Sequence, residues 1–288
     1  MNSMPPADAP NTPRPEEDKP SVAYLVSQYP ALSHAFIERE VEALREHGVR
    51  VETVSVRPFD QDELRTELMR SEAAATTVLL DRDRAKSRWL RSHWQLLRRD
   101  PRTYTGVLAQ ALRTGEPRPK TRLWQVFYFA EAVVLHDLMS HRQLRHVHAH
   151  FANNGADVAR LTALIGQRLD GPRAGWKWTF TMHGPTEFEA VDRFDLPAKV
   201  RSADGVACIS DFCRSQLMRM VEPNHWDKLA MIRMSVDTDK FTPPPAVRDH
   251  PGDERMRVLY VGRLVPEKGS PVLLDAVADL TRRGVPLQ

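Results

Sequence analysis

Short apolar runs alternate with amphipathic stretches from residue 22 onward. Residues 22–26 form a continuous apolar run, which is typical of a buried parallel strand, and residues 49–56 predict a second strand. Apolar residues at helical spacing lie between them, with Ser33 as the expected N-cap and Gly48 as the stop. This β-α-β unit predicts the opening of a doubly wound α/β domain.

The same alternation continues along the chain, where strand patterns again separate helical ones. Further strands are predicted at residues 76–80, 145–150, 177–182, 205–209 and 229–234. Helices are predicted over residues 60–75, 82–142 and 153–169 and from Ser210 or Asp211 to residue 221, with a loop at 183–189. The long helical segment 82–142 is predicted to be an insertion on one side of the sheet.

The pattern divides the chain into four segments. Residues 1–20 are polar and proline-rich, which predicts a disordered tail. Residues 21–241 are predicted to form a complete Rossmann-like domain, and residues 242–255 a linker. Residues 256–288 hold one predicted strand, 257–261, and one helix, which cannot bury a parallel core. We therefore expect a second Rossmann-like domain that is incomplete within these residues.

Composition and charge exclude several classes of protein. The chain has 288 residues, of which 41% are hydrophobic and 27% charged, so a disordered or fibrous polymer is excluded. The net charge of +3 is too small to indicate a nucleic acid as the main partner. No apolar run approaches the roughly 20 residues of a membrane helix, and none forms an N-terminal signal core. Cys208 and Cys213 form no disulfide or zinc pattern, so we expect a cytoplasmic protein.

The predicted helical insertion is rich in basic residues, which leaves two interpretations open. These residues are Arg84, Lys86, Arg88, Arg91, Arg98, Arg99 and Arg102. A solvated helix face explains them without a partner. The alternative is a functional one, in which this face contacts acidic lipid head groups at the inner side of the cytoplasmic membrane.

Polar residues follow four predicted strands at the points where the strands end. They are Gln28, Tyr29 and Ser33 after the first strand, His150 at residues 145–150, His183, Gly184 and Glu187 after 177–182, and Ser210 after 205–209. Ligands bind beyond the carboxyl ends of the strands in open parallel sheets. We therefore expect these residues to line one crevice.

Histidines occupy two of these strand ends. His146, His148 and His150 alternate, so they share one face of their strand. A metal pair is one interpretation, but no carboxylate nearby in the sequence completes a set, and a structural or acceptor-contacting role is favoured. His183 ends an apolar strand, and Gly184 allows a ligand to approach closely. We predict a site role for His183 and no metal.

A phosphate-binding loop is predicted after the strand at residues 257–261. Gly262 ends this strand, Arg263 and Lys268 follow, and Gly269 opens a helix. Backbone N–H groups and the positive end of a helix suit a phosphate, and the two cations suit a diphosphate. The segment is neither a dinucleotide-binding glycine fingerprint nor a P-loop.

Five further motifs stand in the same order as in a known family. They are residues 29–40 (YPALSHAFIERE), 148–152 (HAHFA), His183-Gly184, 210–212 (SDF), and Val236-Asp237 with Phe241 and Pro243. Together with residues 262–264 (GRL) and 267–269 (EKG), they resemble the family 4 glycosyltransferases, in particular the exopolysaccharide (colanic acid type) branch. The resemblance extends from about residue 21 to the end of the chain.

This resemblance implies an α/β fold of GT-B type and a retaining sugar transfer. A nucleotide diphosphate sugar would be the donor, and a glycan, usually lipid-linked, would be the acceptor in cell-surface or exopolysaccharide synthesis. Arg263 and Lys268 would neutralise the diphosphate leaving group without a metal or cofactor. His183, the expected catalytic residue, would contact the donor sugar or the reacting centre, and Gln28 to Ser33 would line the cleft. Thr186 stands where the family has aspartate, so the carboxylate role is open or shifted to Glu187.

Two alternatives remain open at this point. The family's carboxylate segment for sugar and ribose lies past position 288, so we expect weak nucleotide binding and little turnover from these residues. A non-catalytic, acceptor-binding or scaffold protein is therefore the first alternative. The second is a metal-dependent hydrolase that uses His148, His150 and His183.

Overall fold

We analysed a computed structural model that describes residues 19–81, 85–239, 241–242, 255–262 and 264–287. It divides the chain into two compact units, Met1–Ser235 and Val236–Gln288. The predicted tail at residues 1–20 and the predicted linker at 242–255 lie almost wholly outside the described residues.

A seven-stranded parallel sheet organises the first unit and confirms the predicted α/β class. Its strands are β1 (Ser21–Gln28), β2 (Arg50–Arg57), β3 (Thr77–Val78), β4 (His146–His150), β5 (Lys177–Met182), β6 (Gly205–Cys208) and β7 (Leu229–Met231). Their order is β3-β2-β1-β4-β5-β6-β7. Every pairing is parallel. The order reverses between β1 and β4, which in open sheets opens a crevice at the carboxyl ends of these strands.

Ten α-helices among the described residues of the first unit connect or flank these strands. They are α1 (Ala35–Glu46), α2 (Glu67–Ala75), α3 (Ala85–Arg99), α4 (Pro101–Leu112), α5 (Pro119–His141), α6 (Asn154–Asp170), α7 (Pro185–Phe188), α8 (Val191–Phe194), α9 (Leu196–Ser202) and α10 (Asp211–Met220). The predicted helical insertion corresponds to α3, α4 and α5. Buried residues of all three belong to the same core as Ala23 and Leu25 of β1, so the insertion packs on one face of the sheet.

The opposite face of β1 is covered by α1. Val22, Tyr24 and Val26 of β1 pack there with Ile37 and Val41 of the helix. This arrangement follows from the alternation of β1 side chains and from the one-turn spacing of Ile37 and Val41. The helix places Phe36 and Glu40 beside the ends of β1 and β4, which matters for the site.

The predicted N-cap of α1 is wrong. Leu32–His34 form a 3-10 turn, α1 begins at Ala35, and no side chain caps the helix at its N-cap position, His34. The turn explains why Ser33 is not needed there, because the His34 N–H donates to the Ala31 carbonyl at 2.8 Å. Ser33 itself is exposed. By contrast, Ser210 caps α10 as predicted and accepts the Cys213 N–H at 3.1 Å.

The second unit holds α11 (Ser270–Arg282), preceded by the 3-10 turn Pro266–Lys268. The predicted strand at residues 257–261 is not formed; a single bridge joins Met256 to Leu287. Leu259 and Val261 are more than four-fifths exposed. A strand needs a neighbour for its backbone hydrogen bonds, and the described residues of this unit provide none beyond that bridge.

Candidate functional site

The carboxyl ends of β4 and β5 lie side by side, which brings two predicted site residues together. His150 pairs with Thr181 in the parallel register, and the N–H of Phe151 donates to the Thr181 carbonyl at 3.0 Å. His183, the first residue after β5, therefore lies next to the end of β4. Nδ1 of His150 is 3.1 Å from Nε2 of His183.

Aromatic rings enclose His183 on the side of α1 and β4. The ring centroids of Phe36 and Phe151 lie 4.8 Å and 4.5 Å from that of His183. Burial, with a smaller contribution from His34, lowers the pKa of His183 to about 4. The imidazole is therefore neutral at pH 7 and offers one donor and one acceptor nitrogen.

Glu40 of α1 extends this cluster on the far side of His150. Its Oε2 lies 3.8 Å from Nε2 of His150, and its Oε1 accepts the Tyr24 hydroxyl at 2.6 Å. Burial raises the pKa of Glu40, while the hydrogen bond from Tyr24 lowers it. Nε2 of His150 is buried and makes no hydrogen bond with any described residue. Burial also holds the pKa of His150 well below its usual range.

His148 is satisfied by its own neighbours on the sheet. Its Nδ1 lies 2.7 Å from the Thr179 hydroxyl and its Nε2 lies 3.0 Å from the Thr181 hydroxyl. Burial lowers its pKa to about 3. Both nitrogens are thus in use, which matches the structural role that we favoured for this histidine.

Glu40, His148 and His150 have ligand atoms within 4.8 Å of one another, so they form a candidate set for a metal ion. Ligand bonds to zinc are about 2 Å long, which places neighbouring ligand atoms roughly 3.3 Å apart. The set does not fit a zinc ion as it stands, because the threonines hold both nitrogens of His148. The hydrolase alternative would need this histidine, and we derive no step through a metal.

Phe151 has the left-handed backbone conformation, with φ of 69°. A bulky aromatic residue rarely adopts this conformation, and such strain concentrates at functional sites. The conformation lets the chain turn sharply after β4 and lays the Phe151 ring over His183. A tight turn at residues 151–152 is expected from the sequence, but nothing in the local pattern marks a positive φ at phenylalanine.

A buried polar frame supports the two loops that carry His150 and His183. Glu187 accepts the backbone N–H groups of Ala152, of His183 at 3.0 Å and of Gly184 at 2.9 Å. Burial raises the pKa of Glu187, and these donated bonds lower it. Only 4% of Glu187 is exposed. Its carboxylate therefore joins the loops, in contrast to the expected role in lining the crevice.

Lys199 of α9 is a further buried member of this frame. It is fully buried, and its Nζ donates to Asp157 at 2.9 Å and to the carbonyls of Ala152 and Asn153 at 3.0 and 3.1 Å. Burial lowers the pKa of Lys199, and Asp157 opposes this shift. Lys199 and Asp157 were not predicted as site residues, because each lies in a helical stretch without any motif.

The remaining residues of the first-strand group occupy different environments. Tyr29 is fully buried, donates its hydroxyl to Glu72 at 3.2 Å and its N–H to the Ser55 hydroxyl at 3.0 Å. It therefore supports the core and does not line a crevice. Gln28 ends β1 and is half-buried. Gly184 has φ of 132°, which favours glycine, and no neighbouring atom would touch an added Cβ there.

A cavity of about 700 Å³ lies over the open part of the sheet in the first unit. Phe36, Glu40, His148 and His183 line one side of it, and β6 and β7 contribute the opposite side. The cluster is thus reachable by a molecule of the size of a sugar derivative. Glu40 was not singled out from the sequence, although it stands in the motif at residues 29–40.

The predicted phosphate loop belongs to the second unit. Gly269 has φ of 66° and stands at the N-cap position of α11, as the left-handed turn before that helix requires. Lys268 is exposed and ends the preceding 3-10 turn. Gly262 is exposed, and Arg263 lies outside the described residues.

Comparison with known proteins identifies relatives among glycosyltransferases. No protein-family model matches the chain. An alpha-D-kanosaminyltransferase from Streptomyces kanamyceticus is 31% identical over 175 residues, which cover 54% of this chain and 45% of that protein. The chain thus spans about half the length of this curated relative. The sequence similarity supports a place among the glycosyltransferases.

A solved structure is similar to this chain in its fold. The crystal structure of a glycosyltransferase from Rickettsia africae ESF-5 superposes with a TM-score of 0.50 at 14% identity, over 92% of this chain and 58% of that chain. At this identity the comparison shows the fold alone, and it is consistent with the predicted Rossmann-like, GT-B-type architecture.

Proposed function

We propose that the chain is part of a retaining glycosyltransferase that moves a sugar from a nucleotide diphosphate sugar to a glycan acceptor. The observation that carries this proposal is the neutral His183 at the carboxyl edge of a parallel sheet, lining a cavity of about 700 Å³. The similarity to an alpha-D-kanosaminyltransferase supports the reaction class. We assign the first unit to the acceptor, in cell-surface or exopolysaccharide synthesis.

In this proposal the residues of the site bind and orient hydroxyl-rich substrates. A neutral imidazole at His183 accepts or donates one hydrogen bond without adding charge to the site. Phe36 and Phe151 exclude water from two sides of that ring. The frame formed by Glu187 and Lys199 fixes the loops that carry His150 and His183, which holds the imidazole in place.

The donor diphosphate is assigned to the predicted loop of the second unit. Lys268, with Gly262, Gly269 and Arg263, is proposed to stabilise the negative charge that develops on the leaving group. Positive side chains there perform the role that a divalent ion performs elsewhere, so the proposal requires no metal or cofactor.

We also propose a lipid-linked acceptor and a peripheral contact with an anionic membrane. None of the described helices combines the length and apolar character that crossing a bilayer demands. However, Leu90, Trp94 and Leu97 share one face of α3 and are exposed, with 74% of Leu90 accessible. Arg91 neighbours this face, and the Arg98 guanidinium lies 5.1 Å from the Trp94 ring. Exposed apolar residues among arginines are typical of helices that bind anionic lipid surfaces.

The experiment is a transfer assay with a panel of radiolabelled UDP- and GDP-sugars and lipid-linked acceptors. It compares the protein purified from its host with its His183→Ala variant. We expect His183→Ala to lower kcat/KM at least about 100-fold, as is typical for a positioned group at the reacting centre. The matched control is His141→Ala, an exposed histidine of α5. Full activity of His183→Ala would contradict the proposal, and so would an absolute requirement for a divalent metal.

A non-catalytic, acceptor-binding role is the second candidate. It is favoured by the exposure of Gly262 and Lys268 in the second unit. Acceptor binding without transfer of any sugar in the panel, unchanged by His183→Ala, is the result that distinguishes this candidate.

A further inference from the structure

Three polar side chains form a row that the proposed function does not yet explain. Glu40 comes from α1, His150 from the end of β4, and His183 from the loop after β5. The sheet order places β4 between β1 and β5, and α1 covers β1, so these three elements are neighbours. The links in the row are 3.8 Å from Glu40 Oε2 to His150 Nε2 and 3.1 Å from His150 Nδ1 to His183 Nε2.

His150 is the middle of the row and its most constrained member. Its side chain is 0% exposed, and Nε2 finds no hydrogen-bond partner among the described residues. The nearest charged group is the carboxylate of Glu40, whose side chain is 39% exposed and therefore free to rotate by the small amount needed. Hydrogen bonds of this kind are often long before a substrate binds.

The charge state of Glu40 decides the direction of the hydrogen bonds. Tyr24 donates its hydroxyl to Oε1 of Glu40, and burial keeps this hydroxyl protonated by raising its pKa. Burial raises the pKa of Glu40, and the hydroxyl donated at 2.6 Å opposes that shift in favour of the carboxylate. A carboxylate only accepts hydrogen bonds, so its position 3.8 Å from Nε2 favours the tautomer of His150 that carries the proton on Nε2.

One tautomer of His183 then follows. Nδ1 of His150 becomes the acceptor, so the hydrogen atom between the two rings belongs to Nε2 of His183. Nδ1 of His183 keeps its lone pair, and none of the described residues donates a hydrogen bond to it. His183 lines the cavity of about 700 Å³, and a molecule bound there would find this lone pair unused.

We propose that Glu40 and His150 are positioning residues that fix the tautomer of His183, so that its Nδ1 accepts a hydrogen bond from a substrate hydroxyl. This inference rests on the proposed function only for the identity of the hydroxyl, which is a sugar hydroxyl in that case. The row itself is a property of the folded first unit. No bond to carbon forms or breaks in it, and no proton leaves the row.

The first test is a spectroscopic one on the 288-residue chain. Long-range proton–nitrogen correlation spectra of the 15N-histidine-labelled protein at neutral pH report which ring nitrogen carries the proton, with signals assigned through His150→Gln and His183→Gln. We expect the Nε2–H form of both rings in at least about tenfold excess, equivalent to about 1.4 kcal/mol. The Nδ1–H form of His183 would overturn the proposal.

Glu40→Leu tests the origin of this preference. It removes the only carboxylate of the row, and we expect the tautomer excess of His150 and His183 to fall at least threefold. Glu42→Leu is the matched control, because Glu42 is an exposed residue of the same helix. The signals of His148, held by two threonines, should stay unchanged in both variants and report an intact sheet. An unchanged excess in folded Glu40→Leu would overturn the proposal.

Two further arms separate this inference from its alternatives. Added zinc that shifts the nitrogen signals of His148 and His150 at equimolar concentration would replace the row with a metal site and overturn the proposal. In the transfer assay, Glu40→Leu is expected to lower kcat about tenfold with a smaller change in KM, and Glu42→Leu to leave both unchanged. If the tautomers are as expected but His183→Ala transfers sugar normally, the proposed function fails and the row stands.

Discussion

Buried ionisable side chains of the first unit are either neutral or paired with an opposite charge. His148 is held neutral between two threonines, whereas Lys199 is held against Asp157 and two backbone carbonyls. The two groups differ because the ordinary pKa of an imidazole is near neutral, so it loses its proton readily on burial. The ordinary pKa of an ammonium group is much higher, so its deprotonation at neutral pH costs more free energy. Both environments lead to a measurable consequence.

The first consequence is a loss of stability in mild acid. The folded pKa of His148 is about 3, below the unfolded value near 6.5, so below pH 6.5 the unfolded chain binds the additional proton. The contribution is complete above pH 6.5 and is lost as the pH falls toward the folded pKa. We expect His148→Gln to reduce the slope of unfolding free energy by about 1.4 kcal/mol per pH unit between pH 6 and 4.5.

Urea unfolding at several pH values measures this slope. His141→Gln is the control, since that side chain is 72% exposed. Equal slopes for the parent protein and His148→Gln would show that His148 takes up its proton without unfolding.

The second consequence concerns the buried Lys199. Lys199→Met removes the nearer ion-pair partner of Asp157, which keeps only Arg160 at 3.8 Å, and removes two bonds to backbone carbonyls, so we expect a loss of about 3–5 kcal/mol in unfolding free energy. Adding Asp157→Leu should recover part of this loss, because the buried carboxylate that has lost its nearer partner is then also gone. Chemical unfolding compares these variants with Lys177→Met, an exposed position. A loss in Lys199→Met no larger than in the control would contradict the assigned role.

At the scale of elements, α3 has one face that packs into the interior and an outer face with exposed apolar residues. Ser92 and Leu96 face the interior, and the Ser92 hydroxyl donates to Asp137 of α5 at 2.7 Å. Leu90, Trp94 and Leu97 lie on the outer side, where a helix of a soluble domain normally carries polar residues. The exposed apolar residues therefore require an explanation that packing within the first unit does not supply.

This outer face leads to a prediction about membranes. We expect Leu90→Glu combined with Trp94→Glu to weaken binding to phosphatidylserine-containing vesicles at least about tenfold, because apolar contact is lost and like charges repel. Sedimentation with vesicles at two salt concentrations measures it, and binding of the parent protein should fall at the higher salt. Phe212→Glu on α10 is the control, as that side chain is also exposed. Equal weakening by both changes, or equal binding to neutral vesicles, would contradict a specific face on α3.

For the whole molecule, local pattern predicted the strands better than the site. All seven strands described in the first unit were predicted, because each is a short run of apolar residues or of alternating apolar and polar residues, and that signal is local. The juxtaposition of His150 and His183 also followed, since parallel strand ends meet at one edge. Spacing could not reveal Glu40 or Lys199 as partners of these loops, because their contacts join elements far apart in sequence.

The one strand prediction that is wrong has a related cause. Residues 257–261 have the composition of a strand, but composition does not provide a pairing neighbour. No residue of α11 is buried either, and Leu274 is 69% exposed. An isolated helix of 13 residues is marginal in water. The two units therefore differ in local stability.

Hydrogen exchange followed by mass spectrometry tests this difference on the 288-residue chain. We expect amides of α11 to exchange at least about 1,000-fold faster than those of α6, where most side chains are buried and opening requires unfolding of the core. α4, of nearly equal length to α11 but packed against α5 and α6, serves as the matched comparison and should resemble α6. Slow exchange throughout α11 would mean that partners outside its own helix hold it, and would contradict the expected difference in local stability between the units.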